Sequence, residues 1–127
     1  MPATAKNVIA VGSDVASVLD GQSLTEGDLV VFSSRGPSAD GRLKPELTAP
    51  GENVISTLSQ WAVPERQTTT GLHQWLSGTS MSTPVVTGAA ALYFQQNPNA
   101  TYAEVLAALT AQTRADEMTS GFLPNND

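Results

Sequence analysis

No cysteine occurs anywhere in the 127 residues. A thiol nucleophile, a disulfide framework and a thiolate zinc site are thereby excluded, while the compartment stays open. Positive charge is scarce. Six basic residues (Lys6, Arg35, Arg42, Lys44, Arg66, Arg114) are scattered against twelve acids, giving a net charge of −6. Without a basic cluster there is no electrostatic footprint for nucleic acid. Long apolar runs are missing too. The longest apolar-rich stretch, Pro84 to Phe94, is interrupted by Thr87 and Gly88 and is too short to span a bilayer. The first residues carry no basic-then-apolar leader. Met1 is followed at once by what reads as the interior of a domain, so the chain is expected to be part of a longer one. Charged residues are only 14%, which argues against a disordered acidic tail. Hydrophobic residues are 40%, enough for a packed core in a chain of one-domain size. An acidic surface of this kind is ordinary for a soluble or secreted protein.

Short extended segments are expected first and helices last. Val8-Ile9-Ala10-Val11-Gly12 is a continuous apolar run ending in Gly, the pattern of a strand buried on both faces of a parallel sheet. Residues 13–28 read as a surface connection. Leu29 to Phe32 is either a short strand or the lead into the turn Ser33-Ser34-Arg35-Gly36-Pro37, and Asp40-Gly41 is a second turn. Pro45 and Pro50 predict an extended, irregular stretch, because a residue before proline avoids the helical region. Asn53 to Leu58 and Leu72 to Leu76 are the next strands, with a loop over 59–70. A helix is predicted from near Ser80 to about Gln96. Pro84 is tolerable there only in the first turn, where its missing N–H would be unpaired anyway. Asn97-Pro98-Asn99 stops that helix. Thr101 to Glu104 has capping-box spacing, and Tyr102, Val105, Leu106 and Leu109 form one apolar stripe on a second helix.

The chemistry concentrates at Leu76-Ser77-Gly78-Thr79-Ser80-Met81-Ser82-Thr83-Pro84. A buried strand runs into a glycine, then a hydroxyl residue, then a helix. Gly78 permits a tight turn and close approach of a substrate. Ser80 would stand at a helix N-terminus, where free N–H groups and the dipole favour negative charge. An acyl-transfer enzyme needs its nucleophile in such a place, because the attacked carbonyl oxygen becomes an anion that the Ser80 N–H can bond. A serine at a helix start is also an ordinary N-cap, and spacing alone leaves both readings standing.

The segment Gly78-Thr79-Ser80-Met81-Ser82-Thr83-Pro84, followed by Val86 and Gly88, resembles the active-site serine motif of the subtilisin-like peptidases. Three other blocks resemble the same family, in its order: Ala3 to Gly12, Phe32 to Pro37, and Lys44 to Gly51. The resemblance covers nearly the whole chain. It implies an α/β fold, the C-terminal portion of a subtilisin-like, mainly parallel sheet with packed helices, with residues 1–127 a partial catalytic domain. It implies Ser80 as the nucleophile, Thr79 and Met81 flanking the scissile bond, and Ser77 and Gly78 lining the substrate groove, with Phe32 toward the leaving-group side. Met81 would be an oxidation-sensitive neighbour of the nucleophile; as bland readings, it fills a core gap, and Arg35-Gly36-Pro37 is a structural turn.

Departures from the family pattern bear on activity. The family's acid and base lie upstream of the serine in Asp-Thr-Gly-like and His-Gly-Thr-like motifs, and neither is in this sequence. No position matches the oxyanion-hole asparagine. His73, the one histidine, lies seven residues before Ser80, roughly 23 Å away if fully extended, outside the contact of about 3 Å that a general base needs. It is expected at the surface or the groove edge. No lysine follows Ser80 at the spacing of a Ser–Lys dyad. Asp14, Asp28, Asp40 and Glu46 read as turn or surface residues. Trp61 and Trp75 are candidates for a peptide-binding wall, Trp61 from a loop and Trp75 from the core or groove edge.

The expected function is therefore peptide-bond hydrolysis through an acyl-enzyme on Ser80, completed by a missing N-terminal half that supplies His and Asp; alone, the chain is expected to be inactive. Its partners are a polypeptide substrate and that half, with neither nucleic acid nor membrane. No cofactor is required and no metal site is expected here, although family resemblance allows structural calcium in the full-length parent and an extracellular location. Alternatives are a non-catalytic remnant or interaction fragment, and the sedolisin family, which shares a Gly-Thr-Ser…Pro motif but uses Glu and Asp. The blocks Phe32–Pro37 and Lys44–Gly51 favour the subtilisin family. The α/β-hydrolase serine elbow fails, because it needs Gly where Ser82 stands.

Overall fold

The computed structural model describes residues 2–15, 27–59, 61 and 71–113. After a single 3-10 turn at Pro2–Thr4, strand β1 (Val11–Val15) runs parallel to β2 (Leu47–Glu52). Val11 faces Leu47 and Ser13 faces Ala49; the register then shifts, so that Asp14 faces Pro50 but Val15 faces Glu52. Gly51 is left over between them, as in a bulge. The predicted strand at Val8–Gly12 lies three residues too early. The Val8 carbonyl accepts Lys44 Nζ at 3.0 Å and the Ala10 N–H donates to Glu46 Oε2 at 2.8 Å. Among the described residues this leaves the Ala10 carbonyl, on the Glu46 N–H at 3.1 Å, as the one backbone bond to this segment ahead of Val11. The ladder with β2 therefore begins only at Val11.

The stretch expected to be irregular contains β2 itself. Pro50 is tolerated because it is exposed and proline can sit where a strand's N–H is not needed by a neighbour. The other edge of β1 is covered by residues 27–30. Val15 N–H donates to Asp28 at 3.0 Å, Val30 N–H to Ser13 at 3.2 Å, and Leu29 forms an antiparallel bridge with Asp14. The chain then turns at once, with Ser33 N–H on the Val30 carbonyl at 3.0 Å, so Leu29 to Phe32 leads into a turn.

At Asn53 the chain leaves the first sheet with φ of 52°, a left-handed conformation that asparagine tolerates better than most residues. Strand β3 (Val54–Thr57) follows and pairs antiparallel with β4 (His73–Leu76). The parallel expectation thus holds for one of the two described sheets. Ile55 and Trp75 face each other on the exposed side of this hairpin; Val54 and Leu76 are half-buried on the other.

Helix α1 (Thr79–Gln96) packs on β1 and β2 through buried Ser82 and Val86. Helix α2 (Tyr102–Ala111) packs on α1 and buries Val105, with Leu106 and Leu109 half-buried. The capping box is present. Thr101 Oγ1 accepts the Glu104 N–H, while Glu104 Oε2 accepts the Thr101 N–H at 2.7 Å. Tyr102 is exposed and donates to the Val8 carbonyl at 3.2 Å. Pro84 departs from expectation. It is the sixth residue of α1 and so lies in the second turn, where the Ser80 carbonyl loses its usual intrahelical donor.

Among the described residues the buried apolar side chains are Ala10, Val15, Val30, Ala49, Val86 and Val105. Alpha-helix α1 carries no charged residue, yet Val85, Gly88, Ala89 and Leu92, at the spacing of one helical face, are exposed. The fold is α/β, as expected, and one face of its principal helix is bare.

Candidate active site

The turn between β4 and α1 is built on two glycines with different reasons. Gly78 has φ of 155° and ψ of 158°, a region almost closed to residues with a Cβ. An added Cβ would meet nothing closer than 3.7 Å, so the dihedral angles, and not space, require glycine there. Gly51 is the reverse case. A Cβ on it would lie 2.1 Å from Ser82 Oγ and 2.3 Å from Ser13 Oγ. The two glycines are bonded, Gly78 N–H to Gly51 carbonyl at 2.8 Å. Ser77, just before the turn, accepts the Asn53 N–H on its hydroxyl at 2.9 Å. The Met81 N–H closes the first helical turn on the Gly78 carbonyl at 2.9 Å.

Gly78 is the N-cap of α1, and Ser80 is its second helical residue. The capping alternative for Ser80 is thereby removed. Its side chain is exposed and makes no hydrogen bond to another described residue. The N–H groups at the start of a helix have no intrahelical acceptor, and no acidic residue occupies the first turn of α1. A free hydroxyl thus stands beside backbone donors in a locally positive field. Of the other residues singled out, Thr79 and Met81 are half-buried, with the Met81 sulfur against Gly78, and Ser77 is exposed. The Thr79 carbonyl accepts the Thr83 hydroxyl at 2.8 Å.

No base is brought to Ser80 among the described residues. His73 opens β4, exposed and opposite Thr57, at the end of the strand away from the turn. Asp40 and Glu46 are engaged elsewhere. Asp40 sits in a surface turn, where the Arg42 guanidinium and the Ser38 hydroxyl hold its pKa down to about 2. Glu46, expected at the surface, is largely buried in an ion pair with Lys44. Asp14, expected in a turn, lies half-buried inside β1. No group of three or more His, Cys, Asp or Glu that could hold a metal occurs among the described residues. Trp61 is 85% exposed on its loop and Trp75 is 49% exposed on β4. Phe32 is exposed within the turn that Ser33 closes on Val30. A shallow depression lined by Tyr93, Asn97, Pro98 and Glu104 lies at the far end of α1 from Ser80.

Four residues to which sequence reasoning gave no part in the site shape this turn: Gly51, Asn53, Ser13 and Ser82. Gly51 and Ser82 lie inside quoted motif blocks, but nothing in their spacing shows that the blocks touch.

Comparison with known proteins places the site in context. The subtilase family model matches residues 1–123. The chain is 39% identical over 111 residues to serine protease AprX of Bacillus subtilis, covering 82% of this chain and 24% of that protein. It is 40% identical over 108 residues to an uncharacterized protein of Aquifex aeolicus, covering 82% of this chain and 49% of the relative. It is 44% identical over 64 residues to pyrolysin of Pyrococcus furiosus, half of this chain and 4% of that one. The chain therefore spans at most about half the length of these relatives. Among the described residues no helix is long and apolar enough to cross a membrane.

Proposed function

The chain belongs to the subtilase family, and on that premise we propose that Ser80 is the nucleophile of a serine endopeptidase whose catalytic domain this chain completes. The observation that carries the reading is the state of Ser80: exposed, unbonded among the described residues, and set by Gly78 at a helix start. Ser80 Oγ attacks the carbonyl carbon of a peptide bond and gives its proton to a base. The carbonyl oxygen becomes an anion, and the Ser80 N–H and the helix start stabilise it. The C–N bond breaks, the base returns the proton to the leaving amine, and an ester on Ser80 remains. Water then hydrolyses the ester by the same proton route.

The base, a histidine, and the aspartate that orients it come from an N-terminal half that this sequence does not contain. The uncharged, exposed face of α1 supports a companion of that kind, since an apolar helix face is ordinarily covered. The isolated chain is inactive for want of a base. Ser77, Gly78, Thr79 and Met81 line the path of a polypeptide substrate on either side of Ser80. The chemistry needs no cofactor; structural calcium in the full-length parent and an extracellular location rest on family likeness alone.

The test is hydrolysis of a peptide by this chain combined with a segment bearing the Asp and His motifs. Activity in the combination, lost by several orders of magnitude in Ser80→Ala, is expected. Equal activity in Ser80→Ala would remove Ser80 as the nucleophile, and no activity in any combination would favour a non-catalytic role.

A further inference from the structure

We propose that Gly51, seated against Ser82 and Ser13, is a positioning residue that sets how the turn presents Ser80, an inference that rests on Ser80 being the nucleophile. Gly51 is the residue skipped by the β1–β2 register, and bulges of this sort re-aim the chain locally. Its carbonyl thereby reaches the Gly78 N–H at 2.8 Å. Its missing side chain leaves room for Ser82, two residues past Ser80 and on the buried side of α1. Ser82 and Ser13 are both 0% exposed, and neither hydroxyl has a hydrogen-bond partner among the described residues. Unpartnered buried hydroxyls are uncommon; here they are tolerated where two small side chains and a glycine bring α1, β1 and β2 into direct contact. A Cβ on Gly51 would also lie 2.7 Å from the Gly78 carbonyl, and backbone cannot yield as a side-chain tip can. Gly51→Ala must push the start of α1 and the turn away from β2, while α2, which packs farther along α1, stays in place.

Two readouts test this separately. In the isolated chain, amide hydrogen exchange at Gly78 reports the bond to Gly51 directly. In Gly51→Ala it should accelerate by roughly tenfold or more, the Thr79, Ser80 and Met81 amide resonances should move, and the Val105 amide should not. Adding Ser13→Ala and Ser82→Ala to Gly51→Ala removes the two nearest atoms and should restore part of the exchange protection. In the chain combined with its N-terminal half, Gly51→Ala should slow covalent labelling of Ser80 by a fluorophosphonate, since a misplacement of about 1 Å costs roughly 10²-fold. The loss should fall on the inactivation step and not on probe affinity, and the triple variant should recover part of it. Unchanged Gly78 exchange and Ser80 resonance in Gly51→Ala would overturn the proposal, as would acceleration at Val105 equal to that at Gly78, which means general loss of structure. If wild type itself is never labelled, the nucleophile reading fails, whereas the exchange arm still decides whether Gly51 seats the turn.

Discussion

The Asn53 N–H donates to the Ser77 hydroxyl at 2.9 Å, so the kink that ends β2 is tied to the turn that begins the candidate site. Both ends of this link are constrained: Asn53 by its φ of 52° and Ser77 by the bond from the next residue, Gly78, to Gly51. Ser77→Ala should lower stability by about 0.5–1.5 kcal/mol, the range for one hydrogen bond. Asn53→Gly should be close to neutral, and Asn53→Ala should cost about 1 kcal/mol from the left-handed backbone. Urea unfolding of the three variants checks the ordering. Equal stability of Asn53→Ala and Asn53→Gly would contradict it.

A second prediction concerns the clamp between the Lys44–Glu46 segment and the chain before β1. Lys44 and Glu46 pair with side chains 9% and 15% exposed, and each also bonds the backbone, at Val8 and Ala10. Lys44→Met leaves the Glu46 carboxylate largely buried without its cation, which should cost about 3–5 kcal/mol. Lys44→Met with Glu46→Leu should recover part of that and not all, because the Ala10 N–H loses its acceptor. Denaturation midpoints of the single and double variants measure the difference.

The α2 cap predicts a pH dependence of known sign. The Glu104 carboxylate accepts the Thr101 N–H and hydroxyl, which lowers its pKa in the folded state. A folded pKa below the unfolded one gives stability that is complete above the unfolded value and lost as pH falls through the folded one. Exchange protection in α2 should therefore decline on acidification below the ordinary glutamate range, and Glu104→Gln should flatten that decline. Thr101→Ala should weaken α2 by about 1 kcal/mol at neutral pH.

The parts legible in the sequence are those set by local chemistry. The capping box at Thr101 and Glu104, the stop at Asn97, and the start of α1 beside Ser80 all follow from neighbouring residues, and all three are found. What sequence did not show depends on contacts between distant segments. Strand β1 begins at Val11, and not at Val8, because Lys44 and Glu46 occupy the backbone groups of Val8 and Ala10. Strand β2 was hidden by Pro45 and Pro50, whose local preference is irregular; Pro50 is nonetheless held in the strand opposite Asp14 of β1. The five site residues from Ser77 to Met81 are contiguous, so their motif marks them; Gly51 and Asn53 touch them from about 25 positions away, and no local pattern announces that.

The most direct measurement is labelling of the chain by a fluorophosphonate probe, in wild type and Ser80→Ala, with and without an N-terminal segment bearing the Asp and His motifs. Labelling that appears only with that segment, and only when Ser80 is present, is the predicted result. Equal labelling of Ser80→Ala, or no labelling of folded wild type in any combination, would contradict the assignment of Ser80 as the nucleophile.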